Sequence, residues 1–264
     1  MPSPPLVLCL SGLDPSGGAG LQADIESVAA LGGHALGVVT ALTAQDTHDV
    51  ARVVATDPAL LEQQLDLLLR DSPPQAFKLG LLGGAEQLPV ILAALRRCPV
   101  PVVCDPVLRA GGGALLHDET AAQTLRRELF AAVTVLTPNA AEARRLCPDS
   151  ASLDDCGASL LAAGCGHVLI TGGDEPGAEV VNTWYAPGQP PRRYTWPRLP
   201  ETFHGAGCTL ASAIAALLAR GLPVEAALLQ AQEWTQQALQ KAIRVGQGRR
   251  IPGRVPGRVA GRTA

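Results

Sequence analysis

Lysine is almost missing from this 264-residue chain: Lys78 and Lys241 stand against 19 arginines. That leaves little for lysine-based covalent chemistry or for a phosphate-loop lysine. Aromatic residues are also scarce, at 3%. No apolar run reaches the roughly 20 residues that cross a bilayer, and Met1 to Pro5 carries no positive n-region ahead of a signal-like segment. No membrane role and a cytoplasmic setting are expected. The net charge is −3 and the pI near 6, so no global basic field exists to hold nucleic acid. Seven cysteines (9, 98, 104, 147, 156, 165 and 208) form no C-x-x-C pair and no metal-ligand spacing with the five histidines. A disulfide framework or zinc site is therefore not expected, and the partners expected are small molecules.

What is present is alternation. The runs "PLVLCLSG", "ALGVVTALTA", "FKLGLL", "VPVVCDPV", "AAVTVLTPN" and "HVLITGG" read as buried strands, separated by helical patterns near 19–32, 58–71, 85–96, 119–130, 139–146 and 152–164. Such a β, α, β, α order predicts a mostly parallel sheet covered by helices on both faces. Segments 178–186 and 191–197 flank "PGQP" and predict a late antiparallel edge hairpin, after which helices near 206–220 and 223–242 close the fold. Residues 1–245 read as one domain. The Gly/Pro/Arg-rich stretch 246–264 lacks apolar periodicity and is expected to be a poorly ordered, solvated tail that includes Arg254, Arg258 and Arg262.

Ligands in open parallel sheets collect beyond the carboxyl ends of the strands, and four strand-end loops are unusual here. "SGLDPSGGAGLQAD" (11–24) has phosphate-loop glycine spacing but places Gly18 where that motif needs lysine. In "VCDPVLRAGGG", Asp105 ends a buried strand and suits a hard cation such as Mg²⁺. "LTPNAAEARRL" places Asn139 at a helix cap with Glu142 in the first turn, and "ITGGDEPG" brings Gly172 and Gly173 close to any nucleotide. Finally "HGAGCTLASAIAA" opens a long apolar helix. Gly205, Ala206 and Gly207 leave its amides open to an anion, while Cys208 sits in the field of the helix terminus, which should lower its thiol pKa and fit it to accept a proton.

Together, "GLDPSGGAGLQAD", "TALTAQDT", "KLGLL", "DPVL…GGGALL", "TPNAAEA", "TGG" and "HGAGCTLASAIAA" resemble the hydroxymethylpyrimidine kinase/phosphomethylpyrimidine kinases of thiamine biosynthesis, over residues 6 to 242 or so. The resemblance implies a three-layer αβα ribokinase-like fold, ATP and Mg²⁺ as cofactors, and a homodimer. It implies two transfers of the γ-phosphoryl group, first to the hydroxymethyl of 4-amino-5-hydroxymethyl-2-methylpyrimidine and then to the resulting monophosphate. By position, Gly12, Asp24, Gln45, Leu81 and Val107 become contacts to the pyrimidine. Asp105 and Glu142 become the Mg²⁺ neighbourhood, and Asn139, Thr171 and Gly173 the nucleotide and phosphate contacts. Gly205, Ala206, Gly207 and Cys208 become the anion hole and proton acceptor. Ala206 stands where the family usually carries threonine, Thr171 where it often carries lysine, and "GQGRRIPGR" replaces a glycine-proline-histidine ending. A pyridoxal kinase, or a pyrimidine-binding protein without turnover, are the competing readings.

Overall fold

The computed structural model describes residues 3–108 and 119–255. The "GGGALL" portion of one motif, and Arg258 and Arg262 of the expected tail, lie outside them. β1 (Leu6–Leu13), α1 (Gly20–Ala30), β2 (His34–Gln45), β3 (Val50–Ala55), α2 (Pro58–Asp71), β4 (Ala76–Leu79), α3 (Leu88–Arg97), β5 (Val102–Cys104), α4 (Glu119–Glu128), β6 (Val135–Leu136), α5 (Ala140–Leu146), α6 (Leu153–Ala162) and β7 (His167–Ile170) alternate along the chain. β8 (Glu179–Tyr185), β9 (Arg192–Pro197), α7 (Ala206–Ala219) and α8 (Val224–Gln240) complete it. The nine strands form one sheet in the order β3-β2-β1-β4-β5-β6-β7-β8-β9. The six strands from β2 to β7 run parallel; β3 at one edge and the β8–β9 hairpin at the other run antiparallel to their neighbours.

Period-two alternation along the central strands sorts the core into two layers. Leu8 and Leu10 of β1 point to one face and pack with Leu61 of α2, Ile91 of α3, Leu125 of α4 and Leu160 of α6. Val7 and Cys9 point to the other face, with Val28 of α1, Ile214 of α7 and Leu228 of α8. Both faces are apolar, so the strands read as unbroken hydrophobic runs, as expected of a covered parallel sheet. α7 is buried from Thr209 through Leu218, which accounts for its apolar sequence without any membrane role. No described helix is long and apolar enough to span a membrane.

Two features depart from the sequence expectation. β3 was not anticipated, because an edge strand whose residues are half-buried or exposed carries no hydrophobic signal. The solvated tail is corrected over residues 246–255. There, Ile243 pairs with Ile251 and Phe203 with Arg250 in isolated bridges, and the Gly253 amide donates to the Ala238 carbonyl at 2.8 Å. Arg254 is only 2% exposed. Composition missed this because the segment is held by backbone pairing and one arginine, neither of which needs apolar periodicity.

Candidate active site

The loop after β1 is built around Asp14. Its carboxylate accepts from the Ser16 amide (2.8 Å), the Ser16 hydroxyl (2.7 Å) and the Ala19 amide (2.8 Å), and pairs with His204 Nε2 at 2.7 Å. Burial pushes the Asp14 carboxyl up, but the bonds from His204, Ser16 and Ala19 outweigh it and hold the group below its ordinary range. His204 thus ties the first loop to the turn that opens α7. At that turn Gly205 caps the helix with φ +85° and no side-chain cap. A β-carbon there would collide with the Gly18 carbonyl, so glycine is required on both steric and conformational grounds.

The first backbone bond of α7 runs from the Thr209 amide to the Gly205 carbonyl at 2.9 Å. The amides of Ala206, Gly207 and Cys208, which precede it, have no intrahelical partner. They border a cleft of about 220 Å³ together with Gly12, Gly20, Gln45, Leu81, Asp105, Val107, Asn139, Glu142, Thr171 and Arg249. The expected anion hole therefore opens into a cavity, next to the expected carboxylates. Eleven of the expected residues converge there, namely Gly12, Gln45, Leu81, Asp105, Val107, Asn139, Glu142, Thr171, Gly205, Ala206 and Gly207, with Cys208 as a twelfth.

Two do not. Asp24 is fully buried behind the cavity, where Lys78 Nζ lies 2.8 Å away and Ser11 and Ser212 donate at 2.5 and 2.7 Å. Its carboxylate is committed to the core and does not border the cleft. Gly173 also stands outside the cleft, its carbonyl accepting from Arg198 Nη1 at 2.9 Å.

A third correction concerns Cys208. The helix field was expected to lower its thiol pKa; instead, burial pushes it up to about 12, with Asp105 and Asp24 adding to the rise and Lys78 and the Gly20 backbone opposing it. Loss of solvent and the negative charge of Asp105 and Asp24 both disfavour a thiolate here. The group at rest is a thiol, and it hydrogen-bonds Asp105.

Asp105 and Glu142 form a buried carboxylate pair. Burial raises the proton affinity of both; Asp24 adds to the rise at Asp105 against Lys78, and Asp105 adds to it at Glu142. Glu142 Oε1 accepts from the Leu108 amide and Oε2 from the Asn139 amide, each at 3.1 Å, while Asn139 Oδ1 accepts from the Glu142 amide at 2.8 Å. This capping box fixes the Glu142 carboxylate at the cleft that Asp105 also borders. The next amides of α5, Ala140 and Ala141, are taken by Asp174 at 3.2 and 2.8 Å, so this helix end binds no further anion. Two facing carboxylates that resist ionising together are the donor set a divalent cation relieves. Among the described residues no group of three or more His, Cys, Asp or Glu side chains could hold a metal, so remaining ligands would come from water or substrate.

Sequence reasoning missed Lys78 and Arg249. Lys78 is buried in strand β4. Burial alone would strip its proton, but the carboxylates of Asp24 and Asp105 hold it on, and its pKa stands above the ordinary value. A lone lysine in the apolar run "FKLGLL" was the available signal, since a charge in a central strand needs a buried partner.

Comparison with known proteins agrees with this geometry. A family model described as phosphomethylpyrimidine kinase matches residues 14–252. The hydroxymethylpyrimidine/phosphomethylpyrimidine kinase of Synechococcus elongatus is 39% identical over 250 residues, covering 92% of this chain and 95% of that protein. The kinase of the same name from Escherichia coli is 36% identical over 253 residues, covering 91% and 94%. Among solved structures, pyridoxal kinase from Staphylococcus aureus in complex with pyridoxal superimposes with a TM-score of 0.87 at 26% identity, covering 98% of this chain and 96% of that one. Phosphomethylpyrimidine kinase from Clostridium difficile does so with a TM-score of 0.76 at 29% identity, covering 89% and 99%. The open amides of α7 facing two carboxylates, on a ribokinase-like frame matched along nearly its whole length, identify the chain as a kinase of the phosphomethylpyrimidine kinase family.

Proposed function

We propose that this chain transfers the γ-phosphoryl group of ATP to the hydroxymethyl oxygen of 4-amino-5-hydroxymethyl-2-methylpyrimidine, and then transfers a second phosphoryl group to that monophosphate. The observation that carries the reading is the α7 terminus: three uncommitted amides, at Ala206, Gly207 and Cys208, border a cleft that also holds Asp105 and Glu142. Phosphoryl transfer needs positioning and charge neutralisation more than covalent chemistry. The α7 amides supply fixed dipoles for the phosphoryl oxygens. Asp105 and Glu142 would hold Mg²⁺, which supplies charge neutralisation when bound. On the acceptor side Leu81 and Val107 wall the ring, and Gln45 offers its amide to the ring's amino group and nitrogens.

The Cys208 thiol and the Asp105 carboxylate act as a unit. As the acceptor's O–H bond breaks and its oxygen bonds to phosphorus, the bond from that phosphorus to the bridging oxygen of ATP breaks and ADP leaves; the acceptor's proton passes to Cys208 Sγ while the thiol's own proton moves to the Asp105 carboxylate, so the pair takes up one proton and its net charge goes from −1 to 0. Behind the cleft, Lys78 offsets the negative charge of Asp24 and Asp105.

The chain is read as a cytoplasmic homodimer. Leu13, Leu42 and Val54 lie in register across β1, β2 and β3, each more than a third exposed, and such a row suits a symmetric partner surface. The likeness to pyridoxal kinases motivates a second substrate, pyridoxal, whose hydroxymethyl group is the equivalent acceptor.

A mass-resolved product assay with ATP, Mg²⁺ and either acceptor tests the reading. Formation of the pyrimidine mono- and diphosphates supports it. Pyridoxal phosphate alone would assign the second substrate instead, and ligand binding without ADP release would leave only a binding protein.

A further inference from the structure

We infer that Arg249 is a specificity-determining residue for the phosphorylated acceptor, binding the phosphate of the monophosphate in the second transfer; this rests on the function proposed above. Among the described residues, Arg249 is the only lysine or arginine that borders the cleft. The other two cations nearby are committed: Lys78 to Asp24, and Arg254 to Thr209, Glu26 and the Gly18 carbonyl.

Arg249 is placed by its neighbours. Its amide donates to the Thr47 carbonyl and its Nη2 to the His48 carbonyl, each at 3.0 Å. That fixes the guanidinium against the β2–β3 connection, directly after Gln45 and hence on the acceptor side of the cleft. Its Nε is buried without a hydrogen-bond partner, and a buried N–H donor left unmatched is uncommon in a native fold. Burial pulls the Arg249 guanidinium pKa below its ordinary value, against the attraction of Asp49 and Asp14.

The chemistry of the two steps differs where this cation stands. In the first step the acceptor is a neutral alcohol; in the second it is a phosphate, and two anions must approach each other inside one cleft. Thr171, which also borders the cleft, supplies no charge. A planar guanidinium with free donors is the side chain suited to that anion. Losing a charge-assisted bond of this kind costs roughly ten- to a hundredfold in affinity.

The test is steady-state kinetics of the full chain with ATP and Mg²⁺, comparing wild type, Arg249→Gln and Arg249→Lys with the free pyrimidine and with its monophosphate. The expected result is that Arg249→Gln raises KM for the monophosphate roughly tenfold or more, changes KM for the free pyrimidine less than about twofold, and is partly rescued by lysine. Calorimetric titration of the monophosphate without ATP should show the same ranking, and covers a variant whose turnover is impaired by altered folding. Equal effects on both acceptors, or unchanged monophosphate binding, overturn the inference while the kinase reading stands. Absence of phosphorylation of either pyrimidine by the wild type removes both together.

Discussion

Removing the ammonium of Lys78 tests whether the buried charge cluster behind the cleft holds the fold and the chemistry separately. Lys78 Nζ lies 2.8 Å from Asp24 Oδ1, with both side chains at 0% exposure. At an effective dielectric of about 20, two unit charges at that distance attract by about 6 kcal/mol. Desolvation of the ions offsets much of this, but breaking a buried pair leaves one charge uncompensated and costs about 3–5 kcal/mol. In Lys78→Met, Asp24 keeps its bonds from Ser11 and Ser212 yet loses its counter-ion, and melting should fall by about 6–20 °C for a chain of this size. The double variant Lys78→Met/Asp24→Asn carries no buried unpaired charge at this locus and should regain most of that loss, giving a coupling of at least about 2 kcal/mol in the cycle. Turnover should not return with stability, because Lys78 also restrains the proton affinities of Asp105 and Cys208. Calorimetric melting of the four proteins, alongside the product assay, decides the matter. Strictly additive losses, or a Lys78→Met protein within about 1 kcal/mol of wild type, would refute the electrostatic account; a double variant with full turnover would refute the catalytic half.

The remaining predictions concern other parts of the same machinery. Glu142 takes up a proton more readily folded than unfolded, so its contribution to stability is greatest below the ordinary carboxylate range, about pH 4, and is lost as pH rises toward and through neutrality. Glu142→Gln should therefore flatten the fall of stability between about pH 4 and pH 8 while abolishing turnover, and an unchanged stability profile would contradict the burial argument. Iodoacetamide should modify Cys208 slowly at neutral pH and about tenfold faster per pH unit up to about pH 10, the behaviour of a thiol with raised pKa; rapid neutral labelling would show a thiolate. Cys208→Ala should depress transfer to the alcohol more than transfer to the monophosphate, whose phosphate is already ionised; equal losses in separate assays would argue against the proton relay. Arg254→Ala strips donors from Thr209 and from the Gly18 carbonyl that abuts Gly205, so it should cost about 2–4 kcal/mol in urea unfolding, and truncation after Val245 should cost at least as much.

The elements with a strong period were legible. β1 and β5 declare themselves as apolar runs ending in loops, and α7 as an apolar helix preceded by glycines. Because parallel strands deliver their carboxyl ends to one edge, loops distant in sequence could be assigned to one cleft before any coordinate was known. Asp105, Glu142, Gly205 and Gly207 were found in that way. β3 escaped because an exposed edge strand has no pattern to detect, and residues 246–255 because backbone bridges and the Arg254 bonds follow from tertiary neighbours alone.

Residue order by itself determined the αβα layering, the helix that opens on small residues, and the set of loops available to a phosphoryl donor, since all of these follow from local periodicity and from what glycine permits. Tertiary structure decided charge. Asp24 and Lys78, 54 positions apart, neutralise each other only because β4 lies beside β1 and α1 and α7 close over them. The Cys208 thiol is raised in pKa by burial and by Asp105 and Asp24, which lie far from it in sequence. Desolvation depends on everything that surrounds a group, and no window of sequence contains those surroundings.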